Sequence, residues 1–161
     1  LYPSESERLY AVRKQEGQGC TVLHLAATSK DIECIKTILS LYPESERLQA
    51  LNIGDVFGRI VLHFAARSGN HESIKLILSL YPESERVRVV KADRYFGTTL
   101  HCAAQSGNFE SIETILSLYP ESERVQALSA IDPLSGKQCM KSVLSSGSLQ
   151  NPRPLDNQLG V

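Results

Sequence analysis

Apolar residues along this chain recur at three- and four-residue spacing, the period of a helix with one buried face. In GNHESIKLILSLYP they fall at Ile74, Ile77, Leu78 and Leu80, and KDIECIKTILSLYP and GNFESIETILSLYP carry the same pattern. Each stretch follows a shorter block: TVLHLAATS (21–29), IVLHFAARS (60–68) and TLHCAAQS (99–106, with Thr98 before it). The pattern predicts pairs of short helices joined by Ser-Gly-Asn turns.

After each pair the chain writes LYPESER, beginning at Leu41, Leu80 and Leu118, and a variant, LYPSESER, begins at Leu1. Pro43, Pro82 and Pro120 suit the first position of a helix, and Glu44, Glu46 and their equivalents suit the positive field of its N-terminus. A third short helix is predicted. Its apolar stripe would be Leu48 and Leu51, then Val87 and Val90, then Val125 and Leu128, with Glu44, Glu46, Arg47 and their counterparts facing water. The copies stand 39 (80 − 41) and 38 (118 − 80) residues apart, and the variant 40 (41 − 1) before the first. A fixed period of that size predicts a stacked repeat array.

The block T-x-L-H-x-A-A followed by S-G-N and an amphipathic helix resembles the ankyrin repeat over residues 21 to 136, in three copies. The resemblance implies an all-α, ankyrin-like solenoid of stacked helix-turn-helix repeats, and LYPESER adds an extra short helix per repeat. It also accounts for about five or six residues beyond the usual unit of about 33. A Thr at the helix start can accept a bond from a first-turn N–H while His24, His63 or His101 reaches back, as Glu does in a capping box. The paired alanines Ala26-Ala27, Ala65-Ala66 and Ala103-Ala104 let neighbouring helices approach closely. Gly69 and Gly107 suit a left-handed helix end, and Asp31, Asn70 and Asn108 can cap the second helix. Two departures stand out: Ile60 replaces the capping Thr, at an expected cost of about 1 kcal/mol, and Lys30 stands where the other copies have glycine.

The expected organisation is the end of a preceding partial repeat (1–20), ankyrin-like repeats at 21–59, 60–97 and 98–136, a degenerate C-terminal capping repeat at 137–149 and a flexible tail or linker at 150–161. Met140 and Lys141 stand where that last unit should carry Leu and His. The chain starts without Met and part-way into a repeat, so it is expected to be a fragment of a longer protein.

Charge changes the picture little. With 17 Lys and Arg against 18 Asp and Glu, nothing directs the chain to nucleic acid or to an anionic membrane surface. Cys20, Cys34, Cys102 and Cys139 form no CxxC pair, which fits free thiols in a reducing, cytoplasmic compartment. No apolar run approaches the ~20 residues of a membrane helix. His101-Cys102 is the only adjacent base and nucleophile, and helical neighbours point about 100° apart. The repeated histidines would stand roughly 10 Å apart in a stack, too far for ~2 Å metal–nitrogen bonds. No catalytic residue, metal, cofactor or small-molecule substrate is expected, and the chain is expected to be monomeric.

In the ankyrin family, loop residues and the exposed end of the first helix form a concave partner-binding surface. The resemblance places that surface at Gln18, Cys20, Thr28 and Ser29, then Val56, Phe57, Arg59, Arg67 and Ser68, then Arg94, Tyr95, Gln105 and Ser106, with Lys137 as an extension. These positions change between copies and include aromatic and Arg residues, the types enriched at interface centres. A non-catalytic scaffold that binds a partner protein with an acidic and apolar patch is the leading expectation. A targeting or regulatory segment of a larger enzyme is the second, and a structural spacer the third. The near-verbatim copies also resemble ankyrin arrays of effector proteins that intracellular bacteria deliver into the host cytosol.

Overall fold

Helical periodicity becomes helix wherever a cap and an apolar face coincide. The computed structural model describes residues 3–94 and 97–129, and among these it forms ten helices and no strand. Tyr95, Lys137, Cys139, Met140, the predicted capping repeat and the tail lie outside the described residues.

Each unit opens with an inner helix: α2 (Val22–Thr28), α5 (Val61–Ser68) or α8 (Thr99–Ser106). The chain returns through an outer helix, α3 (Ile32–Ser40), α6 (His71–Ser79) or α9 (Phe109–Leu116). The predicted third helix follows as α4 (Glu44–Leu51), α7 (Glu83–Lys91) and α10 (Glu121–Ser129), and α1 (Glu5–Arg13) is the same element before the first pair. Inner helices stack on inner helices, and outer on outer. The core runs between the layers through Leu23, Ile35, Leu62, Ile74, Ile77 and Ile115, all fully buried. Each such side chain stabilises the stack by about 1.5–3 kcal/mol relative to exposure.

The turns follow local chemistry. Gly69 and Gly107 adopt φ of 73° and 69° and end α5 and α8 in the left-handed region that disfavours a Cβ. Lys30 avoids that region: α2 stops a residue earlier, at Thr28, and Ser29 is extended. Asp31, Asn70 and Asn108 accept N–H bonds at the starts of α3, α6 and α9.

The histidine box forms with altered roles. Nδ1 of His24, His63 and His101 accepts the backbone N–H of Thr21, Ile60 and Thr98 at 3.1, 3.3 and 3.2 Å. An Nδ1 that accepts leaves the proton on Nε2, so the hydroxyls of Thr21 and Thr98, each 2.9 Å away, donate to the ring as well. Ile60 lacks that hydroxyl and is buried instead, so apolar burial offsets the missing bond.

LYPESER also differs in detail. Pro43 and Pro82 sit one position earlier than expected, as caps with ψ of 143° and 141°. Leu51, Val90 and Leu128 are buried, whereas Val125 is 77% exposed and leaves the predicted stripe. Arg47, Arg86 and Arg124 are half-buried; Nε of Arg47 donates to the Leu39 carbonyl on its outer helix α3, while Nε of Arg86 and Arg124 donate to the carbonyls of Tyr81 and Tyr119 in the link between outer and third helix. The tyrosines reach the preceding unit: Tyr42 donates to the Val12 carbonyl at 2.6 Å, Tyr81 to Asn52 Oδ1 at 3.0 Å and Tyr119 to the Val90 carbonyl at 3.4 Å. Ion pairs Arg13–Glu46 and Lys91–Glu123 join successive third helices.

Candidate partner-binding surface

The loops between third and inner helices build the rim of the surface. In the middle loop, Asp55 Oδ1 accepts the N–H groups of Phe57 and Arg59 at 3.0 and 2.8 Å, which folds GDVFGR into a tight turn. Its Oδ2 accepts Nε and Nη2 of Arg59 at 2.8 and 2.6 Å. Burial pushes the Asp55 carboxyl up, but the Arg59 hydrogen bonds outweigh it and hold the group below the ordinary carboxylate range. The guanidinium then lies between two rings, 5.1 Å from the Phe57 centroid and 4.8 Å from that of Phe64.

Neighbouring loops are in contact. Val56 N–H donates to the Gln18 carbonyl at 2.9 Å, and Gln15 Nε2 bridges the carbonyls of Gly19 and Gly54. A Cβ on Gly58 would stand 3.3 Å from Cδ of Arg94, so the third loop packs closely on the second.

Thr28, Arg59 and Arg67 line one cleft of about 210 Å³ together with His63, Phe64 and Cys102. Phe64 supplies its half-buried apolar floor, and the edge of the His24 ring meets Phe64 with centroids 4.9 Å apart. Thr28 and Arg67 are exposed on the rim, and no ion pair among the described residues engages Arg67. Val56 is 68% exposed, and Gln18 and Arg94 are also exposed. Arg59, by contrast, keeps only 13% of its side-chain surface. Ser68 and Ser106 are half-buried, and their hydroxyls donate to the Ala65 and Ala103 carbonyls. Gln105 and Phe57 are half-buried, and Tyr95 lies outside the described residues.

Asp55, Phe64 and Cys102 were missed as parts of this surface. The signal for Phe64 and Cys102 lay in the residue after each histidine, which changes from Leu25 to Phe64 to Cys102 and stands three before the variable Thr28, Arg67 and Gln105. That spacing puts both positions on one helix face. For Asp55 it lay in its i, i+4 relation to Arg59.

Below the cleft the histidines are structural. Burial, with Arg94 and Arg59 nearby, pulls the His63 ring down to about 4 and keeps it neutral. Burial lowers His24 too, whose Nε2 lies 3.3 Å from the Arg59 carbonyl. No group of His, Cys, Asp and Glu among the described residues could hold a metal ion, and no helix there is long and apolar enough to cross a membrane.

The arrangement can grip a partially apolar surface that carries an anionic group. A search of curated proteins returned no match. The family model for ankyrin repeats matches three copies across residues 23–125, and with helix pairs, histidine boxes and loop stack in place, the chain belongs to the ankyrin-repeat family.

Proposed function

We propose that this chain is a protein-binding module, the general role of ankyrin repeats, and that it engages its partner through the loop tips and inner-helix ends. The observation that carries this reading is the cleft itself. An aromatic floor at Phe64 and an exposed cation at Arg67 offer apolar area and one positive charge in one cleft, and the loop of the same repeat exposes Val56. A partner that presents an apolar side chain next to Asp or Glu complements them, since an aromatic and Arg centre is where binding energy concentrates. Arg59 works within this frame as a positioning residue, because its guanidinium is committed to Asp55 and the two rings.

The test is affinity capture with three immobilised proteins of equal helicity: the native chain, a Val56→Asp/Arg67→Glu variant, and a Val125→Asp control altered at an exposed site on α10. A protein held by the native chain and the control but lost by the double variant supports the proposal. Equal capture by all three removes the cleft from the binding surface.

A further inference from the structure

Three substitutions that set the first repeat apart from its copies fall at the end of its inner helix. The second and third units leave that helix through Arg67-Ser68-Gly69-Asn70 and Gln105-Ser106-Gly107-Asn108, whereas the first reads Thr28-Ser29-Lys30-Asp31. A hydroxyl stands where the others carry a guanidinium or an amide, a lysine where they carry glycine, and a carboxylate where they carry asparagine.

These changes act together. Without the glycine, α2 stops at Thr28 and the chain leaves it extended, with Ser29 at ψ of 146°. Thr28 is exposed, Ser29 is half-buried, and Lys30, Asp31 and Glu33 are exposed beyond them. An accessible hydroxyl is thus followed by carboxylates at the third and fifth positions, a charge pattern that an acid-directed kinase discriminates. Thr28 also lines the cleft that Arg67 lines. No ion pair or hydrogen bond among the described residues engages Arg67, while Arg59 beside it is committed to Asp55. The anion-receptive side chain of the cleft is therefore Arg67.

We propose that Thr28 is a phosphorylation site for an acid-directed serine/threonine kinase, and that its phosphate pairs with Arg67 and fills the anion position of the cleft. In the transfer, Oγ1 attacks the γ-phosphorus of a nucleoside triphosphate and the bond from that phosphorus to the β-bridging oxygen breaks. The diphosphate leaves, and the hydroxyl proton passes to the kinase's base. In the unmodified chain that proton is given to the Leu25 carbonyl at 2.7 Å. Its loss releases the side chain to turn towards Arg67. The C-terminal end of α2 opposes an anion with about half an elementary charge. A full guanidinium charge, offering two parallel N–H groups to the phosphate, outweighs it. Only the consequence for binding rests on the proposed function: a phosphate seated on Arg67 excludes a partner's Asp or Glu.

The test uses no partner, so its failure leaves the protein-binding reading standing. The native chain, Thr28→Ala and Arg67→Gln, matched for helicity, are treated with an acid-directed serine/threonine kinase and ATP. Fragmentation of tryptic peptides locates the modified residue, and phosphorus NMR titrates the phosphate. The proposal expects incorporation at Thr28 that Thr28→Ala abolishes. It also expects a titration midpoint below the ordinary phosphate value of about 6, rising by about half a pH unit or more in Arg67→Gln. Incorporation at Ser29 or elsewhere with Thr28 unmodified overturns the proposal. Equal midpoints in the native and Arg67→Gln chains overturn it too, because the phosphate then makes no pair with Arg67.

Discussion

Tyr42→Phe removes one hydroxyl and tests whether the repeated heptapeptide ties units together. Tyr42 is buried and donates at 2.6 Å to the Val12 carbonyl, which stands in the last turn of α1 and so has no partner within its own helix. Deletion leaves that carbonyl unpaired against a phenyl ring, at a cost of about 1–2 kcal/mol. Tyr119→Phe serves as the comparison. Its bond to the Val90 carbonyl is 3.4 Å long, and the same carbonyl accepts Thr99 Oγ1 at 2.9 Å, so its loss costs well under 1 kcal/mol. Because α1 lies at the edge of the described stack, Tyr42→Phe should act first as local opening of α1. Arg13 and Lys14 are exposed there, and limited tryptic cleavage at this pair tracks the opened population when reclosure is fast. Cleavage should accelerate by about fivefold to thirtyfold in Tyr42→Phe, and cleavage at the corresponding Lys91 should change little in Tyr119→Phe. Equal destabilisation by the two variants, or unchanged cleavage in Tyr42→Phe, refutes the assignment of the tie to this hydrogen bond.

Two further outcomes follow from the same contacts. The folded-state value of His63, about 4, lies below its ordinary 6.5, so its contribution is complete above pH 6.5 and is lost as pH falls towards 4. About 2 kcal/mol of stability should disappear between pH 7 and pH 5, with His24 acting in the same direction; urea unfolding at the two pH values checks this, and a flat profile counts against a neutral buried ring. Gly69→Ala should cost about 2 kcal/mol or more and Gly107→Ala only about 1, since a Cβ at 69 meets Asn108 and Ser106 atoms at 3.1 Å while one at 107 meets nothing within 4 Å; thermal unfolding that ranks them equally refutes the inter-repeat term.

The fold was legible because its signals are local and repeated. Helical period, the Thr–His spacing, glycine at a helix end and Asn at the next start each act within about four residues, and the repetition confirmed them. The surface was less legible because its composition depends on contacts between units. Arg59 reads as an exposed cation until Asp55 and two rings close around it, and Ser68 and Ser106 read as rim residues until their hydroxyls turn to the helix carbonyls. Ile60 reads as a missing cap, yet it is also a core residue. In each case the sequence states the chemistry of one side chain, and the partner that decides its role comes from another turn or another repeat.

The near-identity of the heptapeptides has the same physical origin. In every copy Tyr reaches back to the preceding unit, Pro precedes the helix, and Arg returns to a carbonyl of its own unit, so three residues of the seven keep the same task although the atoms they bond differ. Glu is less constrained. At the middle junction the basic residue is replaced by Asn52, Tyr81 bonds that amide, and Glu85 turns instead to Arg88 at 3.4 Å in its own helix. The pairs that do form, Arg13–Glu46 and Lys91–Glu123, are 31–47% exposed and each contributes about 0–1 kcal/mol. The tyrosine and arginine bonds therefore set the spacing of the third helices, and the charges trim it. With that spacing held by LYPESER, the loop residues from Gln18 to Arg94 are left as the part of each unit that can vary without disturbing the stack, which is what a partner-binding surface requires.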